Sequence, residues 1–132
     1  MTVFDWRLEC SACDHTAGAD GLPGVCEVCG QPWLVRYVRA MPDVTVRAGV
    51  RRGVGMWRFR PLLPLLAGEE PVSLGEGDTP LLRLRRTGAD YGLADLWLKD
   101  EGCNPPGSLK ARGMSAAITR AVAAGARRFV VP

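Results

Sequence analysis

The sequence predicts an α/β chain: a small N-terminal zinc ribbon, then the start of a parallel-sheet domain. Three observations predict it. Two Cys-x-x-Cys pairs, Cys10/Cys13 and Cys26/Cys29, stand twelve residues apart in a glycine- and proline-rich setting. Downstream, an apolar run at 96–99, a helical pattern at 108–124 and an apolar run at 128–131 follow in strand, helix, strand order. The composition, 47% hydrophobic and 23% charged, is that of a chain able to bury a core. A parallel sheet needs cover on both faces, which one helix cannot supply. The chain is therefore expected to be the N-terminal part of a longer protein.

Residues 1–8 are expected to form a short strand, with Val3, Phe4, Trp6 and Leu8 apolar. The cysteine pairs follow. Two residues between thiolates let both sulfurs of a turn meet one tetrahedral ion. Four thiolates fill its coordination shell and leave no position for substrate. The predicted metal ligands are Cys10, Cys13, Cys26 and Cys29, holding a structural zinc (or iron) ion that replaces a core too small to form alone. The alternative is two disulfides or redox pairs, which a cytoplasmic setting disfavours. His15 is a surface residue on this reading.

Residues 33–39 alternate as a strand with arginines and aromatics interleaved. Such a strand either stacks on bases or packs its apolar face on the next domain; the enzyme-like sequence that follows favours packing. A linker is expected at 41–52. Met56-Trp57-Arg58-Phe59-Arg60 opens an aromatic segment in which Arg58 either reaches an anionic group or holds the segment down by a salt bridge. A turn-rich acidic stretch at 68–80 precedes a strand at 81–84. In it, Thr79 either donates to a ligand or caps the turn before Pro80. Residues 87–94 read as a loop or short helical turn. Glu101 is expected to orient Lys99 or hold the following loop, and Cys103 to be a small buried thiol.

The turn Asn104-Pro105-Pro106-Gly107 then opens the helix. Prolines and glycine exclude helix interior there. Ser108 is the expected N-cap and Gly125 the expected stop. Counting from Lys110, residues Gly113, Met114, Ala117, Ile118 and Ala121 share its face. Lys110 is thus expected to point with an apolar stripe, one turn inside a helix N-terminus. Burial and the positive helix end both disfavour an ammonium and favour a nucleophilic amine. The chain holds 17 Lys+Arg, of which only Lys99 and Lys110 are lysines. Arginine serves wherever charge suffices, so a lysine at 110 suggests a need for amine chemistry.

These residues carry a resemblance. The run 104–113 resembles the lysine motif N-P-T-G-S-F-K-x-R of fold-type II pyridoxal-phosphate enzymes. Gly75-Glu76-Gly77-Asp78-Thr79-Pro80-Leu81 is similar to their G-E-G-x-T-P-L segment, and Leu98-Lys99-Asp100-Glu101 to the strand leading into the lysine loop. With the cysteine ribbon and the aromatic segment, the whole pattern resembles the threonine synthase family. Pro106, Leu109 and Ala111 depart from the usual Thr, Phe and Asp. Pro106 also removes a hydroxyl and an N–H that could have held an anion.

The resemblance implies a tryptophan-synthase-β-like domain that begins near residue 73. Residues 1–40 would then be the ribbon, 41–72 linker and aromatic segment, and 73–132 an incomplete catalytic domain. It implies pyridoxal 5'-phosphate held on Lys110, with Ser108 and Asn104 shaping the cofactor site. The implied reaction is O-phosphohomoserine plus water to threonine plus phosphate. The partners implied are a small amino-acid substrate and, for the full-length enzyme, a second copy in a homodimer. The phosphate-gripping loop would follow Pro132, so the segment alone is expected to be inactive. A threonine dehydratase or cysteate synthase type of enzyme, or a non-catalytic zinc-ribbon remnant, are the alternatives. Neither a membrane nor a nucleic-acid partner is expected: no run approaches the ~18–20 apolar residues of a transmembrane span, and the net charge of +3 is dispersed. The N-terminus lacks the features of a secretory signal, so a cytoplasmic location is expected. The single histidine excludes a Ser/His/Asp set outside the ribbon.

Overall fold

The computed structural model describes residues 5–38 and 53–130. The expected linker at 41–52, the first half of the expected strand at 1–8 and the last residue of the expected strand at 128–131 lie outside them.

The N-terminal part is a three-stranded antiparallel sheet in the order β2-β1-β3, formed by β1 (Trp6–Cys10), β2 (Thr16–Ala17) and β3 (Trp33–Tyr37). Leu8 of β1 lies opposite Ala17 on one side and Val35 on the other. Alternation along β1 buries Leu8 and Cys10 and leaves Arg7 and Glu9 on the opposite face. There Arg7 and Arg36 stand directly across the ladder, and Glu9 lies beside both, at 3.1 and 2.8 Å. One carboxylate thus relieves a like-charge cross-strand pair.

Two turns leave this sheet with the same construction. The Cys10 N–H donates to the His15 carbonyl (2.7 Å), and the Cys26 N–H to the Gln31 carbonyl (2.8 Å). The residue after each second cysteine is left-handed: Asp14 at φ 57° and Gly30 at φ 72°. Both Cys-x-x-Cys pairs therefore fold into equivalent knuckles, which the even spacing of the sequence anticipates.

A 3₁₀ helix (Met56–Leu62) carries the aromatic segment. Arg58 pairs with Asp78, the salt-bridge alternative of the two read from the sequence. The segment abuts the ribbon through the Tyr37 hydroxyl, which donates to the Leu62 carbonyl at 2.7 Å.

The strands β4 (Leu81–Arg83) and β5 (Trp97–Lys99) form where apolar alternation placed them, with α1 (Arg85–Asp90) between them. Their pairing corrects the expectation. They run antiparallel, with Leu82 opposite Leu98, and no parallel pair occurs among the described residues. Residues 126–130 form no strand; Val130 is fully exposed and Phe129 is 42% exposed. The expected strand, helix, strand unit is absent there because nothing pairs with the third segment. The hairpin likewise leaves Leu81, Leu82, Trp97 and Leu98 exposed.

The main helix, α2, runs Lys110–Ala123. Ser108 performs the expected capping: its Oγ accepts the Lys110 N–H at 3.2 Å. The far end closes as a Schellman motif, with Ala126 N to Ala121 O and Gly125 N to Val122 O both at 2.9 Å, and Gly125 at φ 96°. The buried face of α2 is Ala111, Ser115 and Thr119 rather than the apolar stripe through Lys110. Those two hydroxyls hold the backbone of Val72. Ser115 Oγ donates to its carbonyl at 2.7 Å, and Thr119 Oγ1 accepts its N–H at 2.9 Å. One side of a helix thereby satisfies both backbone groups of a residue that lies in no strand. The interior is correspondingly mixed. Leu8, Met56, Leu65 and Ala111 are buried apolar residues, while Glu69, Glu76, Thr79, Asn104, Ser115 and Thr119 are buried polar ones.

Candidate active site and cysteine cluster

The lysine loop is built around a tight turn. The Gly107 N–H returns to the Asn104 carbonyl at 2.7 Å across Pro105-Pro106, and Gly107 takes φ 69°. This delivers Lys110 to the first turn of α2. The expected burial of Lys110 is not found: the residue is exposed, and its Nζ makes no hydrogen bond or ion pair among the described residues. The reason lies in the helix phase, since hydrogen bonding to Val72 turns the Ser115/Thr119 face inward. Lys110 instead sits on the rim of a cavity of about 450 Å³ between α2 and the 72–76 segment. Met114, Ile118, Val72 and Leu74 give that cavity an apolar lining, and Ser108 and Glu76 also reach it. Of the stripe read from the sequence, Met114 and Ile118 form cavity wall, while Gly113 and Ala117 are exposed.

Beneath the loop lies a polar network that periodicity did not reveal. Arg112 grips Glu101 with two parallel hydrogen bonds, Nε to Oε2 at 2.6 Å and Nη2 to Oε1 at 2.8 Å. Thr79 Oγ1 donates to the same carboxylate at 2.6 Å, and Asn104 Nδ2 donates to it at 3.0 Å. Arg112 chiefly, then Thr79 and Asn104, hold the Glu101 carboxyl well below the usual carboxylate range. The Asn104 amide also donates to the Glu101 carbonyl (2.9 Å), and its Oδ1 accepts the Gly77 N–H at 3.1 Å. Asn104 is buried, and its side chain ties the 75–79 loop to the lysine loop. Glu101 does hold the loop, while Lys99 Nζ donates to the Thr79 carbonyl instead of meeting Glu101. The signal that could have exposed the network was Arg112, a charged residue immediately after the buried position Ala111 and half-buried itself. Cys103 departs from its expected burial: it is exposed, and the Asp100 carboxylate 3.3 Å away pushes its thiol up.

The four predicted ligands converge. Cys10, Cys13, Cys26 and Cys29 are all free thiols whose sulfurs lie within 4.8 Å of one another. The closest approaches are 3.3 Å for Cys10–Cys29, 3.4 Å for Cys13–Cys29 and 3.7 Å for Cys13–Cys26. A tetrahedral ion with metal–sulfur bonds of about 2.3 Å needs sulfurs about 3.8 Å apart. The set fits one such ion. The Ala12 N–H, aimed at Cys10 Sγ from 3.4 Å, draws that thiol down to about 6, as a ligand requires. Cys13 also receives a backbone N–H, from His15, but its sulfur neighbours and burial outweigh it and push the thiol up to about 12. His15 stays outside the set, pairing with Glu27 at 3.1 Å.

Residues 72–132, which contain the lysine loop, the network and the cavity, match the family of pyridoxal-phosphate dependent enzymes. Three relatives show the likeness in more detail. The chain is 35% identical over 113 residues to the threonine synthase of Methanocaldococcus jannaschii, covering 85% of this chain and 28% of that protein. It is 31% identical over 120 residues to the threonine synthase of Methanosarcina acetivorans, covering 91% and 29%. With that of Mycobacterium leprae it shares 45% over 69 residues, covering 52% and 19%. The resemblance to threonine synthases read from the motifs is borne out. The chain spans under a third of the length of these relatives. No solved structure matches it significantly.

Proposed function

We propose that the protein carrying this segment is a threonine synthase that uses pyridoxal 5'-phosphate to convert O-phosphohomoserine and water to threonine and phosphate. The observation that carries this reading is the position of Lys110, an open amine at the lip of an apolar cavity, on the first turn of a capped helix. The site fits an aromatic aldehyde, because the amine is reachable and the wall beside it is apolar. When bound, the cofactor supplies an electron sink that makes the substrate's carbon-bound protons removable. Lys110 Nζ would hold the cofactor covalently, and as a free amine it would carry protons to and from the substrate carbons. Ser108 and Asn104 shape the loop that presents it. In the ribbon, Cys10, Cys13, Cys26 and Cys29 would hold zinc. With four protein ligands that ion keeps no open position, so its role is structural.

The test uses the full-length protein. Incubation with O-phosphohomoserine should release phosphate and threonine in equal amounts, and borohydride treatment should fix the cofactor to Lys110 in a peptide map. A Lys110→Ala variant should lose both. Ammonia and a keto acid formed from threonine, with O-phosphohomoserine left unchanged, would indicate a dehydratase, and absence of any adduct would refute the enzyme reading. The segment alone, at under a third of its relatives' length, is expected to form no threonine.

A further inference from the structure

Three pieces of chain meet at one carboxylate. Glu101 receives Thr79 from the 75–79 loop, Asn104 from the lysine loop, and both arms of Arg112 from α2. Arg112 stands two residues beyond Lys110 on the same helical turn. The Lys110 side chain itself has no partner among the described residues, so nothing bonded to its amine fixes where it points. The turn bearing it is fixed instead, through Arg112 and through the Ser108 cap. A two-armed guanidinium–carboxylate contact constrains orientation as well as distance, which a single ammonium contact does not.

We propose that Arg112 and Glu101 are positioning residues for Lys110, holding the first turn of α2 so that the amine faces the cavity in one orientation. This rests on the reading of Lys110 as the cofactor-bearing residue.

The test follows cofactor attachment in the full-length apoprotein mixed with pyridoxal 5'-phosphate, by absorbance and by borohydride trapping. Arg112→Gln should slow attachment at Lys110 at least tenfold. Arg112→Lys, which keeps the charge but loses the fork, should slow it severalfold and serves if the first variant does not fold. Arg120→Gln breaks an ion pair ten residues beyond Lys110 on the same helix, about 15 Å away. It should lower thermal stability yet leave the attachment rate within twofold of wild type. A wild-type rate in Arg112→Lys, or an equal slowing in Arg120→Gln, would overturn the proposal. Lys110→Ala separates the two readings: if that variant still forms the adduct, the assignment of Lys110 fails. If it does not while the Arg112 variants attach at the wild-type rate, only the positioning role fails.

Discussion

Arg120 and Glu69 are ion-paired across fifty-one residues of chain, and the same guanidinium donates to the Ala19 carbonyl and lies over the Trp6 ring, 5.6 Å from its centroid. One side chain on α2 therefore binds the ribbon, the acidic segment and the helix to each other. Arg120→Ala would strand a buried carboxylate, since Glu69 is only 7% exposed. The expected cost is about 3 kcal/mol in urea unfolding. Trp6 fluorescence should shift as its cation partner disappears, and an unchanged midpoint would contradict the linking role.

The cysteine cluster makes a stoichiometric prediction. The purified protein should carry one metal ion per chain, bound by four thiolates. Chelation should release it and unmask four extra reactive thiols, with loss of the tryptophan signal from Trp6 and Trp33, which lie in the strands beside the knuckles. Cys13→Ser should weaken metal retention. Retention of the tryptophan signal after complete metal removal would show that the sheet stands without the ion.

Gly77 occupies a place no other residue can take. Its φ is 110°, and a Cβ there would collide with the backbone of Met56 and Gly55. The backbone contact it permits is the Met56 N–H to Glu76 carbonyl bond at 2.7 Å. Gly77→Ala should destabilise by at least about 2 kcal/mol and lower the cofactor-binding yield, read by thermal unfolding and absorbance.

The depressed carboxyl of Glu101 sets a pH dependence. Its folded value lies below the unfolded value of 4.5, so the unfolded chain binds the proton more readily in that range. The stability it contributes is present above pH 4.5 and is lost as the pH falls below that value. In acid titrations, Glu101→Gln should be less stable than wild type at neutral pH, and the difference should shrink below pH 4.5. A constant difference across the range would show that the Arg112 contact does not depend on charge.

Local chemistry was legible in the sequence where one residue type does one thing. Gly125 ends its helix, Ser108 caps it, and the even cysteine spacing folds two equivalent knuckles. The strands at 81–83 and 97–99 were legible from alternation, but their direction was not, because pairing depends on which neighbour is present and not on the strand's own pattern. The phase of α2 was misread for a related reason. Apolarity pointed to the face of Met114 and Ile118, whereas Ser115 and Thr119 turned inward to satisfy the backbone of Val72. Hydrophobic periodicity is blind to a hydroxyl whose partner is forty residues away. The Arg112–Glu101 contact was hidden likewise, since charged residues on a helix usually face solvent.

Two lysines in the whole chain, one with its ammonium engaged on the Thr79 carbonyl and the other open, make this segment convenient for protein chemistry. A limiting dose of an acylating reagent would tag Lys110 ahead of Lys99. A lysine-specific protease would then report the modification directly: free chain yields the peptide 100–110, and tagged chain fails to be cut after residue 110.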